Sequence, residues 1–135
     1  MCCDPAARQK SAEYLLPVFR ALEDLIRSVP LTALYLYRQA EQPPGLQTDS
    51  GTPMRDVDGI QWTDATPDRG KLYAIGISVE ALERGQWYTQ FLFLHELAHI
   101  FSGGEHTEEF HQCLDGLIEQ VNKYTGGHIV NDYCK

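Results

Sequence analysis

The segment Gln86–Ser102, QWYTQFLFLHELAHIFS, restricts the fold of this chain more than any other. Its apolar residues wrap most of a helical circumference, so a helix here has little face to offer water and must run through the middle of a domain. Yet its centre carries His95, Glu96 and His99. Burying three such groups among leucines and phenylalanines is costly unless they are paired or coordinated. Residues four apart on a helix share one face, so both imidazoles can reach a single metal ion. Glu96, rotated about 100° from His95, can touch a water at that ion without occupying the metal. With five His and ten Glu in 135 residues, chance placement gives about 0.01 such H-E-x-x-H patterns. The competing reading is a pair of satisfied core histidines beside an ion-paired glutamate.

A catalytic zinc takes three protein ligands and keeps one position open. His106 is the nearest further donor, seven residues beyond His99 and past a Gly103-Gly104 pair that lets the chain double back. Thr107 reads as the cap of a last helix, which leaves His106 just outside it with Phe110 packing below. His106 is therefore the preferred third donor beside His95 and His99. His111 could sit one turn deeper, and Glu108 or Glu109 could supply an oxygen ligand, although first-turn acids are also what the helix dipole favours. His128 is too distant for spacing to place it.

The remaining chain reads as one α+β domain of 15.3 kDa. Asp4-Pro5 starts a helix that ends near Ser28 and is interrupted, or begins to pack, at Pro17. Leu31–Arg38 is a core strand, and residues 39–58, with Pro43, Pro44, Gly45, Gly51 and Pro53, form a long loop, either a lid or a surface excursion. Gly59–Thr63 and Leu72–Ile77 are strands joined by a turn containing Pro67, Asp68 and Gly70. Ser78 caps a short helix through Arg84 that Gly85 stops. The last helix turns Phe110, Cys113, Leu114, Leu117, Ile118 and Val121 inward and closes at Gly126-Gly127.

Charge and cysteine usage exclude some roles. A net charge of −8 repels phosphate backbones and anionic membranes. No apolar run approaches the roughly 20 residues of a bilayer span, and Met-Cys-Cys-Asp-Pro lacks the basic and apolar parts of an export signal. Cys2, Cys3, Cys113 and Cys134 form no C-x-x-C pair, so they read as free thiols in a reducing, cytoplasmic setting rather than a zinc ribbon or a lipid anchor.

The stretch HELAHIFSGGEHTEEF resembles the active-site segment of the zincin metallopeptidases, and especially of the SprT-like group. There an H-E-x-x-H helix is followed by a short turn, a third His and a helix with Phe four positions later, as in His106-Thr107-Glu108-Glu109-Phe110. The resemblance implies zinc on His95, His99 and His106, Glu96 as general base, and a compact fold of helices on a small, mostly antiparallel sheet. The spacer Ile100–Glu105 is six residues where the group usually has five, so the turn must bulge by one. The basic surface and zinc ribbon of the DNA-associated members are absent here, so their nucleic-acid role is not carried over. FLFLHELAH is also similar to the ImmA/IrrE-type peptidases, whose downstream Glu motif has no counterpart in this chain.

The chemistry so implied is hydrolysis of a peptide or protein by a Glu-activated, zinc-bound water. In zincins an edge strand before the active-site helix pairs with substrate, and Leu72–Ile77 holds that place in order, though it reads equally well as an interior strand. Tyr73, Tyr88 and Tyr133 are candidate oxyanion donors that packing would also explain. Two alternatives stay open: a non-catalytic, zinc-stabilised binding module, and a zinc hydrolase acting on a small-molecule amide. Glu96 favours an enzyme, since a structural zinc needs no base beside it.

Overall fold

The first helix begins where the chain supplies its own cap. In the computed structural model, which describes residues 4–29, 31–48, 51–66, 70–103 and 105–130, Asp4 is extended and its carboxylate accepts from the N–H groups of Ala6 and Ala7 at 2.9 and 3.5 Å. Helix α1 (Pro5–Ala21) passes through Pro17 without ending there. The carbonyl that loses its partner belongs to Glu13, an exposed residue that water can serve. The break comes at Leu22 instead, and α2 (Glu23–Arg27) follows, so the single helix expected to Ser28 is two. Leu22 leaves helical backbone geometry while its side chain stays in the core, 1% exposed.

Three strands follow among the described residues: β1 (Leu31–Tyr37), β2 (Gly59–Thr66) and β3 (Gly70–Ser78). Their order is β1-β3-β2, with β1 parallel and β2 antiparallel to β3. The expected mostly antiparallel sheet is therefore mixed. The reason lies in the long segment between β1 and β2. Tyr37 pairs with Ser78 and Gly59 with Ile77, so residues 38–58 carry the chain across the end of β3 from one edge to the other, and the β2–β3 hairpin then turns back. Two short 3₁₀ turns (Gln39–Glu41 and Met54–Asp56), an isolated bridge between Gln47 and Pro53, and the buried Met54 give this crossing its own structure. A second correction concerns Leu72–Ile77. It lies in the central strand, hydrogen-bonded on both sides, so it is not an edge.

Ser78 caps α3 (Val79–Leu82) by accepting from Ala81 N at 3.0 Å, and α4 (Gln86–Ser102) then runs through the core as its composition predicts. Phe93, Leu94, Leu97 and Ala98 are fully buried, and Ile75 and Ile77 of β3 are buried with them in the same core. Thr107 caps α5 (Glu108–Thr125) by accepting from Phe110 N at 3.2 Å. Phe110, Leu114, Leu117, Ile118 and Val121 face inward as expected, and Gly126 closes the helix at φ 69°. On the other face of the sheet, Tyr35 meets Trp62 edge to face with centroids 5.9 Å apart, and the Trp62 ring lies so close over Gly76 that an added Cβ would stand 2.8 Å from it.

The architecture is α+β, with helices packed on a three-stranded sheet. Among the described residues no helix is long and apolar enough to cross a membrane. Cys113 is a half-buried free thiol. Cys2, Cys3, Cys134, Tyr133, Gly104 and the turn residues Pro67 and Asp68 lie outside the described residues.

Asp4 also pairs with Arg38 at 2.8 Å, both side chains about a third exposed, which ties the start of α1 to the end of β1. Asp4→Ala removes the cap and this pair together. Urea unfolding should show a loss of about 1–2 kcal/mol, and an unchanged midpoint would mean that neither contact holds the helix to the sheet.

Candidate metal centre

Three imidazoles converge where α4 ends and α5 begins. His99 Nε2 lies 3.2 Å from His95 Nε2 and 3.1 Å from His106 Nε2. Ligand atoms from all three residues fall within 4.8 Å of one another, which makes them a group able to hold a metal ion. Three nitrogens at tetrahedral positions 2.0–2.1 Å from one ion would stand about 3.3 Å apart, so the two closer separations fit a single cation.

The tautomer of His99 suits the same purpose. Its Nδ1 lies 2.9 Å from the carbonyl oxygen of Gly103, which can accept but not donate. Nδ1 therefore carries the proton, and Nε2 turns a lone pair toward the other two rings. Gly103 makes the reciprocal bond, its N–H donating to His99 O at 2.9 Å. It does so at φ 100°, a left-handed conformation open to glycine. The turn therefore ends α4 and orients the His99 ring at once. Ile100, Phe101 and Ser102 continue the helix beyond His99 before the chain turns back to His106.

Phe110 forms the floor of the cluster. Its fully buried ring stacks on His99 at 4.4 Å, and meets His95 at 5.0 Å and His106 at 4.9 Å, both edge to face. One aromatic ring thus limits the rotation of all three imidazoles. The other candidate ligands are placed differently: Glu108 and Glu109 are exposed on the first turn of α5, and neither they nor the half-buried His111 belong to the metal-capable group. His128 is exposed beyond the end of α5.

Glu96 stands beside the cluster without joining it. A carboxylate oxygen reaches to 4.0 Å from His95 Nε2, and the residue is 6% exposed. Its wall is made by Gly59 at the start of β2, where an added Cβ would lie 3.7 Å from Glu96 Cγ and 3.8 Å from Leu92 Cβ. Sequence reasoning missed the staple that holds this wall. The Asp58 carboxylate accepts from Gln39 Nε2 at 3.0 Å, from Arg84 Nη1 at 3.1 Å and from the Tyr88 hydroxyl. The Asp58 carbonyl accepts from Ser78 N at 2.8 Å, and the buried Tyr37 hydroxyl donates to Val57 O. Tyr88, one of the candidate oxyanion donors, is thus committed to Asp58. No spacing rule pairs residues so far apart in the chain, and the one signal available was an acidic residue just before a strand.

No family model, curated protein or solved structure matches the chain. Its chemistry is read from the cluster itself.

Burial pushes the Glu96 carboxyl up to about 8 and the His95 imidazole down to about 3, the latter helped by repulsion from His99, His106 and His111. Burial and the same neighbours, His99 and His111, also lower His106. Without a cation both His95 and Glu96 therefore favour their neutral forms. A histidine held below its ordinary 6.5 supports the fold above that pH and stops doing so as pH falls toward 3. A carboxyl raised from 4.5 supports the fold below 4.5 and loses that contribution as pH climbs through 8. In metal-free protein, Glu96→Gln should therefore be more stable than wild type at pH 9 by about 1–3 kcal/mol, with little difference at pH 4. Urea unfolding in chelator at the two pH values checks this, and a variant that loses stability at pH 9 would show that Glu96 is compensated by a charge.

Proposed function

We propose that the protein is a zinc metallopeptidase of the zincin kind, resembling the SprT-like group, with His95, His99 and His106 as ligands and Glu96 as general base. The observation that carries the reading is the relation of Glu96 to the imidazoles. Its carboxylate is buried beside the convergent nitrogens, 4.0 Å from the nearest, yet stands outside the group that would hold the ion. A structural zinc takes four protein ligands, and among the described residues this group supplies three.

When bound, zinc supplies Lewis acidity, lowering the pKa of a coordinated water to about 7 and polarising the scissile carbonyl. The Glu96 carboxylate takes the proton of the attacking water as the new C–O bond forms, and returns it to the amine as the C–N bond breaks. His106 is exposed and His95 and His99 are partly so, so substrate would approach from the side of His106. Backbone pairing with that substrate falls to the outer edge of β2, whose first residue lies against Glu96, since β3 is bonded on both sides. We take the ion to be zinc because three imidazoles match the nitrogen-rich, tetrahedral sites that zinc occupies in hydrolases.

Zinc analysis of purified protein should give one ion per chain, lost in His95→Ala and His99→Ala, and His106→Ala should weaken binding far more than Glu108→Ala, Glu109→Ala or His111→Ala in competition with a chelator. Glu96→Gln should keep its zinc and lose at least about 100-fold in hydrolysis of a quenched-peptide library. Wild-type turnover in Glu96→Gln, or stoichiometric zinc in His95→Ala, would overturn the reading.

A further inference from the structure

One hydrogen bond at the end of the sheet fixes which groups β2 turns outward. The Ser78 N–H donates to the Asp58 carbonyl at 2.8 Å, and residues 58 and 78 continue the antiparallel register of β2 and β3, so they are a hydrogen-bonded pair. Along an antiparallel ladder such pairs alternate with pairs that exchange no bond. Ile60 and Trp62 therefore bond to β3 through Gly76 and Ala74, whereas Gly59, Gln61 and Thr63 aim their N–H and C=O groups away from it. Because β2 is an edge strand, those groups lie on the outer side of the sheet.

The same three residues face α4. The Cβ position of Gly59 looks onto Leu92 and Glu96. Side chains alternate along a strand, so Gln61 and Thr63 turn the same way, while Trp62 lies on the opposite face against Tyr35. Topology gives the direction: β3 ends at Ser78, α4 starts at Gln86 and packs back along the sheet, so α4 runs opposite to β3 and in the same sense as β2. Gln61 thus lies about 7 Å beyond Gly59, toward the His99 end of the helix. It is half-buried, and its Nε2 donates to Thr63 Oγ1 at 2.6 Å. Its Oε1 is left as an acceptor that takes no hydrogen bond among the described residues.

We propose that Gln61 determines substrate specificity, an assignment that rests on the metallopeptidase reading: an extended peptide pairs with the outward groups of Gly59, Gln61 and Thr63 and sets a hydrogen-bond-donating side chain beside Gln61 Oε1. Neighbouring residues on paired strands share a face, so the peptide side chain next to Gln61 points the same way as the glutamine, toward α4. The peptide residue next to Gly59 meets Glu96 and Leu92 with no intervening side chain. The substrate class is a peptide with a hydroxyl, amide or cationic side chain two positions from the residue that faces Glu96. An anionic side chain is disfavoured there, since Gln61 offers it an oxygen and the chain carries a net charge of −8.

The test is ¹⁵N NMR of the full-length Glu96→Gln chain with one equivalent of zinc, which should bind peptide without cleaving it. In the free chain the Ile60 and Trp62 amides should exchange slowly with solvent, and those of Gln61 and Thr63 rapidly. The probes are six alanine hexapeptides with a single threonine at successive positions, the same six with valine, and the same six with lysine. Bound peptide should slow exchange at Gly59, Gln61 and Thr63. At one position threonine should bind at least about 5-fold more tightly than valine, the effect of one hydrogen bond. Gln61→Leu should erase that preference and keep the affinity for the valine peptide, whereas Gln61→Glu should move the preference to lysine at the same position. Slow exchange at Gln61 in the free chain, equal binding of threonine and valine at every position, a preference that survives Gln61→Leu, or no binding at about 5 mM peptide would overturn the proposal. The metallopeptidase reading fails separately, in a wild-type chain that binds these peptides with the Gln61-dependent preference and cleaves none.

Discussion

Helix α4 has almost no face for solvent, yet it carries His95, Glu96 and His99 at its centre, and the rest of the structure is arranged around that conflict. Ionised groups in such surroundings are expensive, and burial holds His95 and Glu96 toward their neutral forms in the absence of a cation. A neutral imidazole is a metal ligand, and the Gly103 carbonyl turns the lone pair of His99 toward His95 and His106.

Elements distant in sequence complete the site. Phe110, from α5, packs against all three imidazoles. Gly59, from the edge strand β2, closes over Glu96, and its neighbour Asp58 gathers Gln39, Arg84 and Tyr88 around one carboxylate. The long crossing between β1 and β2 therefore has a structural task apart from any role as a lid. It delivers a strand to the side of Glu96, and the Asp58 staple fixes where that strand begins. Mixed strand directions follow from the same crossing, because its two ends lie at the same end of β3.

Much of the local structure was legible in the residues. The cap at Asp4, the short helix begun by Ser78, the apolar α4 and the Thr107-capped α5 all follow from contacts within a few positions, where propensity and periodicity act. The convergence of His95 with His99 was equally legible, since the helical repeat alone brings residues four apart onto one face. His106 was legible as a candidate because a glycine turn must precede any return of the chain. The break at Leu22 rather than Pro17 was not, because an exposed Glu13 carbonyl tolerates the missing bond while the core holds Leu22 in place.

Sequence by itself determined the chemistry available to this protein: two histidines and a glutamate locked by helical spacing into a segment too apolar to leave the core. Tertiary structure alone decided which groups would meet them. That Leu72–Ile77 became the central strand and that Asp58 became a hub both depend on strand order and on pairings separated by dozens of residues. Such contacts arise from the packing of whole elements, and no local period in the chain encodes the sides on which those elements meet.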